Sequence, residues 1–282
     1  MVTTKKRIKI VTDSSADITA LDGIEFASAP LKIITAQKEY IDTPDLDAEQ
    51  MAIELSEYKG KSSTSCPNTS DWLAAFGDAE HIICITITAT LSGSYNSALI
   101  AKREYEKTHP DRRVFVLNSL STGPEMLLLA EKARELASED IEFDEVCENL
   151  NEYAKTTGLF FMLESIKNLA NNGRVSPIVA KMTGILGIRL LGRASDVGDL
   201  EALNKCRGER KTLETIVERL TEFGYAGGKL RIAHCLNKEA GETLAKLIRN
   251  KFPNADILIY KCGGLCSFYA EKGGMLVGFE RG

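Results

Sequence analysis

Four clusters of small hydroxyl and amide side chains carry most of the chemistry open to this sequence. They are Thr12-Asp13-Ser14-Ser15-Ala16-Asp17, Ser62-Ser63-Thr64-Ser65-Cys66-Pro67-Asn68-Thr69-Ser70, Leu91-Ser92-Gly93-Ser94-Tyr95-Asn96 and Asn118-Ser119-Leu120-Ser121-Thr122-Gly123-Pro124. Such groups donate and accept hydrogen bonds without carrying charge, and the clusters hold no Lys or Arg. A polyphosphate usually recruits cations, whereas a lone carboxylate can be held by two or three hydroxyl and N–H donors. The chemistry is that of binding a ligand with one small acidic end. Apolar runs such as Phe160-Phe161-Met162 and Ile185-Leu186-Gly187-Ile188 would suit a long greasy body, although each run taken alone reads as core.

The clusters need elements to position them. Ile82-Ile83-Cys84-Ile85-Thr86-Ile87-Thr88 is short, β-branched and ended by a polar cluster, which predicts a strand. Ser92, Ser94 or Asn96 can then cap a helix through Ala98, Ile100 and Ala101, whose first turn offers free N–H groups to an anion. Lys9-Ile10-Val11 and Val114-Phe115-Val116-Leu117 are further strands leading into clusters, and the cluster at 62–70 precedes a helix carrying Trp72, Leu73 and Phe76. Loops at the carboxyl ends of parallel strands share one edge, where such sheets bind ligands. The continuing alternation of strands and helices predicts a doubly wound, mainly parallel α/β domain over residues 1–156.

From Gly158 the pattern changes. Leu159-Phe160-Phe161-Met162-Leu163 is followed by a turn at Asn171-Asn172-Gly173-Arg174 and a helix from Ser176-Pro177 through Met182. Asp196-Val197-Gly198-Asp199 reads as a hairpin turn, and Leu213, Ile216, Val217, Leu220 and Phe223 as a helical stripe stopped by Gly224. Strands at 230–233, 257–260 and 275–279 complete a second α+β domain, residues 157–282, with a mixed or antiparallel sheet.

Composition narrows the function. The 282 residues are 44% hydrophobic and 27% charged with a formal net charge of -5, which argues against a nucleic-acid surface. No apolar run reaches the roughly 18 to 20 residues of a membrane span, so at most transient membrane contact is expected. Met1-Val2-Thr3-Thr4-Lys5-Lys6-Arg7 leads into a strand rather than a signal peptide, and the expected location is cytoplasmic. Seven scattered cysteines predict no disulfide framework, and the pair Cys262 and Cys266 lacks the further ligands a zinc site needs, so no metal is expected. Gly-x-Ser-x-Gly, the phosphate-binding loop and the dinucleotide fingerprint are all missing, and only His81, His109 and His234 are available as imidazole bases. A serine hydrolase or acyltransferase with Ser92 as nucleophile remains the rival reading from another class.

Taken in order, Val11-Thr12-Asp13-Ser14-Ser15-Ala16-Asp17, Thr64-Ser65-Cys66-Pro67, Leu91-Ser92-Gly93-Ser94-Tyr95, Asn118-Ser119 through Gly123, Asn172-Gly173-Arg174-Val175-Ser176 and Cys206-Arg207-Gly208 resemble the DegV family of bacterial lipid-binding proteins. The resemblance spans nearly the whole chain and rests on the order of fragments that are each short. It implies a two-domain α/β protein that encloses a long-chain fatty acid, needs no other cofactor, and serves as the acyl-carrying subunit of a fatty acid kinase. A separate kinase subunit then makes the acyl phosphate used in phospholipid synthesis. By position, Thr64 and Ser92 would donate to the carboxylate with Ser65, Gly93 and Ser94 around them, and Arg174 and Arg207 match basic positions associated with the kinase. One departure stands out. Many relatives carry His-x-Gly-Pro-Gly near the C-terminus, whereas this chain has Tyr260-Lys261-Cys262-Gly263-Gly264-Leu265-Cys266-Ser267-Phe268-Tyr269. The head-group network must therefore differ, and a carrier of another amphiphilic acid is a further alternative.

Overall fold

The β-branched runs beside the hydroxyl clusters pair with one another. In the computed structural model, which describes residues 7–175 and 187–282, the first strands are β1 (Ile8–Asp13), β2 (Glu25–Ala29), β3 (Lys32–Thr35), β4 (Glu39–Ile41), β5 (Ser62–Ser65), β6 (His81–Thr86) and β7 (Arg113–Asn118). The helices among and after them are α1 (Ala48–Glu57), α2 (Thr69–Phe76), α3 (Ser94–Thr108), α4 (Pro124–Ser138) and α5 (Phe143–Ala154). Strands β2-β1-β6-β7 form an all-parallel sheet, and β4-β3-β5 a small antiparallel one.

Successive strand residues point to opposite faces, and both faces of the parallel sheet are apolar. Ile83 and Ile85 of β6 pack with Met126, Leu129 and Ala133 of α4 and with Val146 and Leu150 of α5. Ile82 and Cys84 face the other way, against Trp72 and Phe76 of α2 and Ala98, Ala101 and Tyr105 of α3. This is the doubly wound arrangement the alternation predicts.

The remaining strands are β8 (Thr157–Leu163), β9 (Ile188–Ala194), β10 (Leu200–Arg207), β11 (Lys229–His234), β12 (Asp256–Lys261) and β13 (Met275–Glu280). They form one sheet in the order β10-β9-β8-β13-β11-β12, mixed because only β11 and β12 run parallel. Among the described helices here are α6 (Lys167–Asn171), α7 (Glu209–Glu222), α8 (Lys238–Lys251) and α9 (Gly264–Ala270). Phe160 and Met162 lie on the face covered by α7 and α8, with Ile216, Leu220, Leu244 and Ile248. Leu159, Phe161 and Leu163 share the opposite face with Leu190, Ala233 and Leu276.

Two local features differ from expectation. The polar run Ser62–Ser65 is itself a strand, with Thr64 opposite Ile33 and Ser63 opposite Ile34, because pairing with β3 supplies what composition does not. The glycine-rich stretch before the C-terminal strand contains a helix, α9, that leans back on the N-terminal half. Its Phe268 packs with Ile33, Tyr40 and Met51. Asp42, just after β4, accepts the N–H groups of Gly264 at 2.7 Å and Leu265 at 2.9 Å, so a carboxylate from the other half of the chain caps the helix. The predicted hairpin is present, with Gly198 at φ +86° in its turn. The helix expected from Ser176 to Met182 and the apolar pair Ile185-Leu186 lie outside the described residues.

Candidate functional site

Asp13, the last residue of β1, organises the loop that follows β6. Its fully buried carboxylate accepts hydrogen bonds from the Ser15 N–H at 3.2 Å, the Ser15 hydroxyl at 2.5 Å, the Ile87 N–H at 2.9 Å and the Ser94 hydroxyl at 2.6 Å. Burial pushes this carboxyl above its ordinary range, against the pull of those donors. The bonds tie both ends of the segment 87–94 to the parallel sheet, and Ser92 lies between them. Gly93 is the N-cap of α3 and makes no side-chain bond there, so none of the expected hydroxyl caps forms. Instead Ser92 Oγ accepts the Ser94 N–H at 3.2 Å. The β9–β10 hairpin braces the same segment from the other sheet, its Gly198 carbonyl accepting from Thr88 Oγ1 at 3.0 Å and Thr90 Oγ1 at 2.7 Å.

A cavity of about 270 Å³ opens beside this segment, lined by residues from both halves of the chain. Thr64, Ser65, Cys66, Ser92, Gly93 and Arg174 line it together. A Cβ on Gly93 would lie 3.1 Å from Cys66 Sγ, which shows how closely the β5 and α3 segments approach. Elsewhere the walls are mostly apolar: Leu159, Phe161 and Leu163 from β8, Leu276 from β13, Leu31, Ile87 and Leu91 from the N-terminal half, and Leu265 from α9, with Thr122 a further hydroxyl. Helix α9 also contributes Tyr269, whose hydroxyl is 2.7 Å from Thr64 Oγ1. Burial raises the Tyr269 phenol, while the Thr64 bond and the Arg174 charge pull it down. Among the described residues that line the cavity, Arg174 alone carries a charge. The space is suited to a molecule with one anionic end and an apolar remainder.

The structure brings Thr64, Ser65, Ser92 and Gly93 to the lining of one cavity. Ser94 is placed differently: it is fully buried, its hydroxyl donates to Asp13, and it does not line the cavity. Arg174, expected as a partner-facing residue, is half-buried on the cavity lining, with one guanidinium nitrogen donating to the Asn172 carbonyl at 2.9 Å. Arg207 ends β10, is exposed, and lies off the lining. Sequence reasoning missed Tyr269 and the anchoring role of Asp13. Leu265, Phe268 and Tyr269 at i, i+3 and i+4 after a glycine pair were a helical signal for α9. All seven cysteines are free, and no group of side chains among the described residues could hold a metal ion.

A family model described as an uncharacterised protein of the DegV family matches residues 7–281. A DegV domain-containing protein of Streptococcus pneumoniae is 41% identical over 276 residues, 96% of this chain and 98% of the relative. The chain belongs to the DegV family. Among solved DegV structures, a family member from Eubacterium eligens loaded with heptadecanoic acid superposes with a TM-score of 0.95 at 42% identity, covering 98% of this chain and 100% of the other. The Streptococcus pneumoniae Fatty Acid Kinase B3 protein loaded with linoleic acid gives a TM-score of 0.95 at 41% identity, with the same coverage. A DegV protein from Ruminococcus gnavus refined with vaccenic acid gives 0.88 at 28%, covering 96% of this chain and 99% of that one. Among the described residues no helix is long and apolar enough to cross a membrane.

Proposed function

We propose that this DegV protein binds one long-chain fatty acid and presents it to a separate kinase subunit for acyl phosphate formation, in the cytoplasm. The observation that carries this reading is one cavity on which Thr64, Ser65, Ser92 and Tyr269 meet one arginine while most of its other lining is apolar. Relatives about as similar as 41% identity hold fatty acids in their crystals. Thr64 and Ser92 donate to the carboxylate, Ser65 and Gly93 surround it, and Arg174 supplies the positive charge. Tyr269 can give its proton to Thr64 Oγ1, which leaves the threonine proton for the ligand. The buried Ser94 acts through Asp13 rather than on the acid. Exposed Arg207 is assigned to the kinase-facing surface.

Ser92 as a hydrolytic nucleophile would need a base beside it, and the cavity lining holds none of the three histidines. His81 stacks on Phe143, His109 lies within hydrogen-bond reach of Thr108 and Tyr105, and His234 sits at the end of β11 beside Asn237. The proposal is tested by incubating the protein with ATP and hexadecanoic acid, with and without a fatty acid kinase catalytic subunit. Acyl phosphate is expected only with the kinase present. Ser92→Ala should weaken acid binding by about 1.5 to 3 kcal/mol, the value of a hydrogen bond to a charged group, or roughly tenfold or more. Turnover without a kinase, or unchanged affinity in Ser92→Ala, would refute it.

A further inference from the structure

One row of residues crosses four strands beneath the cavity. Leu276 of β13 pairs with Phe161 of β8, Phe161 with Gly192 of β9, and Gly192 with Ala202 of β10. Phe161 and Leu276 line the cavity and Gly192 does not. The reason is visible in the geometry: a Cβ on Gly192 would fall on Cζ and Cε2 of the Phe161 ring. The ring therefore leans sideways over the bare backbone of β9, occupying the place a side chain at 192 would take. Gly192 is not among the residues with positive φ, so its backbone does not call for glycine. What glycine provides here is room, for the ring and for the Glu201 carbonyl oxygen, which would lie 2.5 Å from the same Cβ.

We propose that Phe161 and Gly192 together set how long an acyl chain the cavity accepts. With the ring folded onto Gly192, Phe161 forms part of the cavity wall. Any side chain at 192 would push the ring off the sheet, and the space on that side of the sheet is the cavity. This inference rests on the fatty-acid reading and deepens it: a glycine outside the lining acts on the ligand by deciding where an aromatic wall stands. Aromatic rings covering a cross-strand glycine are a known way of compensating the missing side chain; here the cover doubles as a wall of the ligand space.

The test is competition for the protein by an equimolar mixture of dodecanoic, tetradecanoic, hexadecanoic and octadecanoic acids, read by native mass spectrometry. Each buried methylene contributes roughly fourfold in affinity. If the displaced ring takes the space of about two methylenes, Gly192→Ala shifts the octadecanoic-to-dodecanoic ratio down by about tenfold or more. Since the new methyl also crowds Glu201, two more variants separate the ring from damage to the sheet. Phe161→Leu, which leaves Gly192 in place, moves the ratio toward longer acids. Adding Phe161→Leu to Gly192→Ala restores octadecanoic acid binding while keeping the crowding at Glu201. Equal loss of all four acids in Gly192→Ala with no restoration in the double variant, or an unchanged profile in Phe161→Leu, would overturn the proposal. A wild-type protein that takes up none of the acids would instead refute the fatty-acid reading on which it rests.

Discussion

Replacing Asp13 tests whether a residue that does not line the cavity shapes it. Its carboxylate accepts four hydrogen bonds, two on each oxygen: Ser15 N–H and hydroxyl on one, Ile87 N–H and Ser94 hydroxyl on the other. In Asp13→Asn the amide nitrogen replaces one oxygen. Turned toward Ser15 it faces the longer backbone contact, 3.2 Å, and a hydroxyl that can rotate to accept. One buried N–H is then orphaned, at a cost of about 1 to 3 kcal/mol. Asp13→Ala orphans the Ile87 N–H and both hydroxyls as well, and should cost more than Asp13→Asn, since each buried donor left without an acceptor costs about 1 to 3 kcal/mol. Relief from burying a carboxylate offsets part of both values, so the order Ala worse than Asn is the firmer expectation. Urea unfolding gives the stability of each variant, and fatty-acid titration its affinity. Because Ile87 and Ser94 bracket Ser92, affinity should fall in the same order. A variant as stable as the wild type, or one destabilised with intact affinity for the acid, would refute the claim that Asp13 positions the ligand-binding segment.

Asp17 and Cys66 give two further predictions. Both Asp17 carboxyl oxygens are buried without a hydrogen bond of ordinary geometry among the described residues, and burial, reinforced by Asp42, raises this carboxyl well above its usual 3.8. A raised folded-state value favours the protonated form on folding, so this stabilisation is present below the unfolded pKa and is lost as pH rises through the folded value. Asp17→Asn, a neutral match that also suits φ 58°, should therefore raise Tm at neutral pH and leave it nearly unchanged in strong acid; a lower Tm at neutral pH would contradict this. Cys66 is the only cysteine that is not buried, it lines the cavity, and burial of its thiol raises its pKa. A thiol reagent should modify Cys66 alone, faster as pH rises, and bound fatty acid should block it; protein mass and peptide mapping check the site, and labelling that ignores the acid would count against the cavity as the ligand site.

The fold was legible wherever apolar spacing was strong. The run at 82–88, with Ile83, Ile85 and Ile87 in one core and Ile82 and Cys84 in another, predicts β6 as a strand buried on both faces. Polar segments were less legible because long-range pairing decides them: nothing in Ser62–Ser65 itself announces a strand, and its partner Ile33 lies some thirty residues away. The candidate site shows the same division. Thr64 and Ser92 belong to hydroxyl clusters and are singled out within them by the family resemblance, because a cluster does not reveal which hydroxyl faces the cavity. Ser92 and Ser94 differ because Asp13, far off in sequence, takes the Ser94 proton. Tyr269 was hidden by α9, whose start depends on Asp42 capping it from the other half of the chain. Arg174 is expected from the resemblance as a partner-facing residue because its place on the cavity depends on how the turn after α6 meets β5, where Asn172 donates to the Ser62 carbonyl at 3.3 Å.

Native mass spectrometry of the protein purified from a bacterial host, without lipid extraction, addresses the ligand itself. One long-chain fatty acid per chain is the expected adduct, released intact on activation and identified by its mass. A chain that stays bare even after incubation with fatty acids, or that carries a lipid with no carboxylate, would contradict the account.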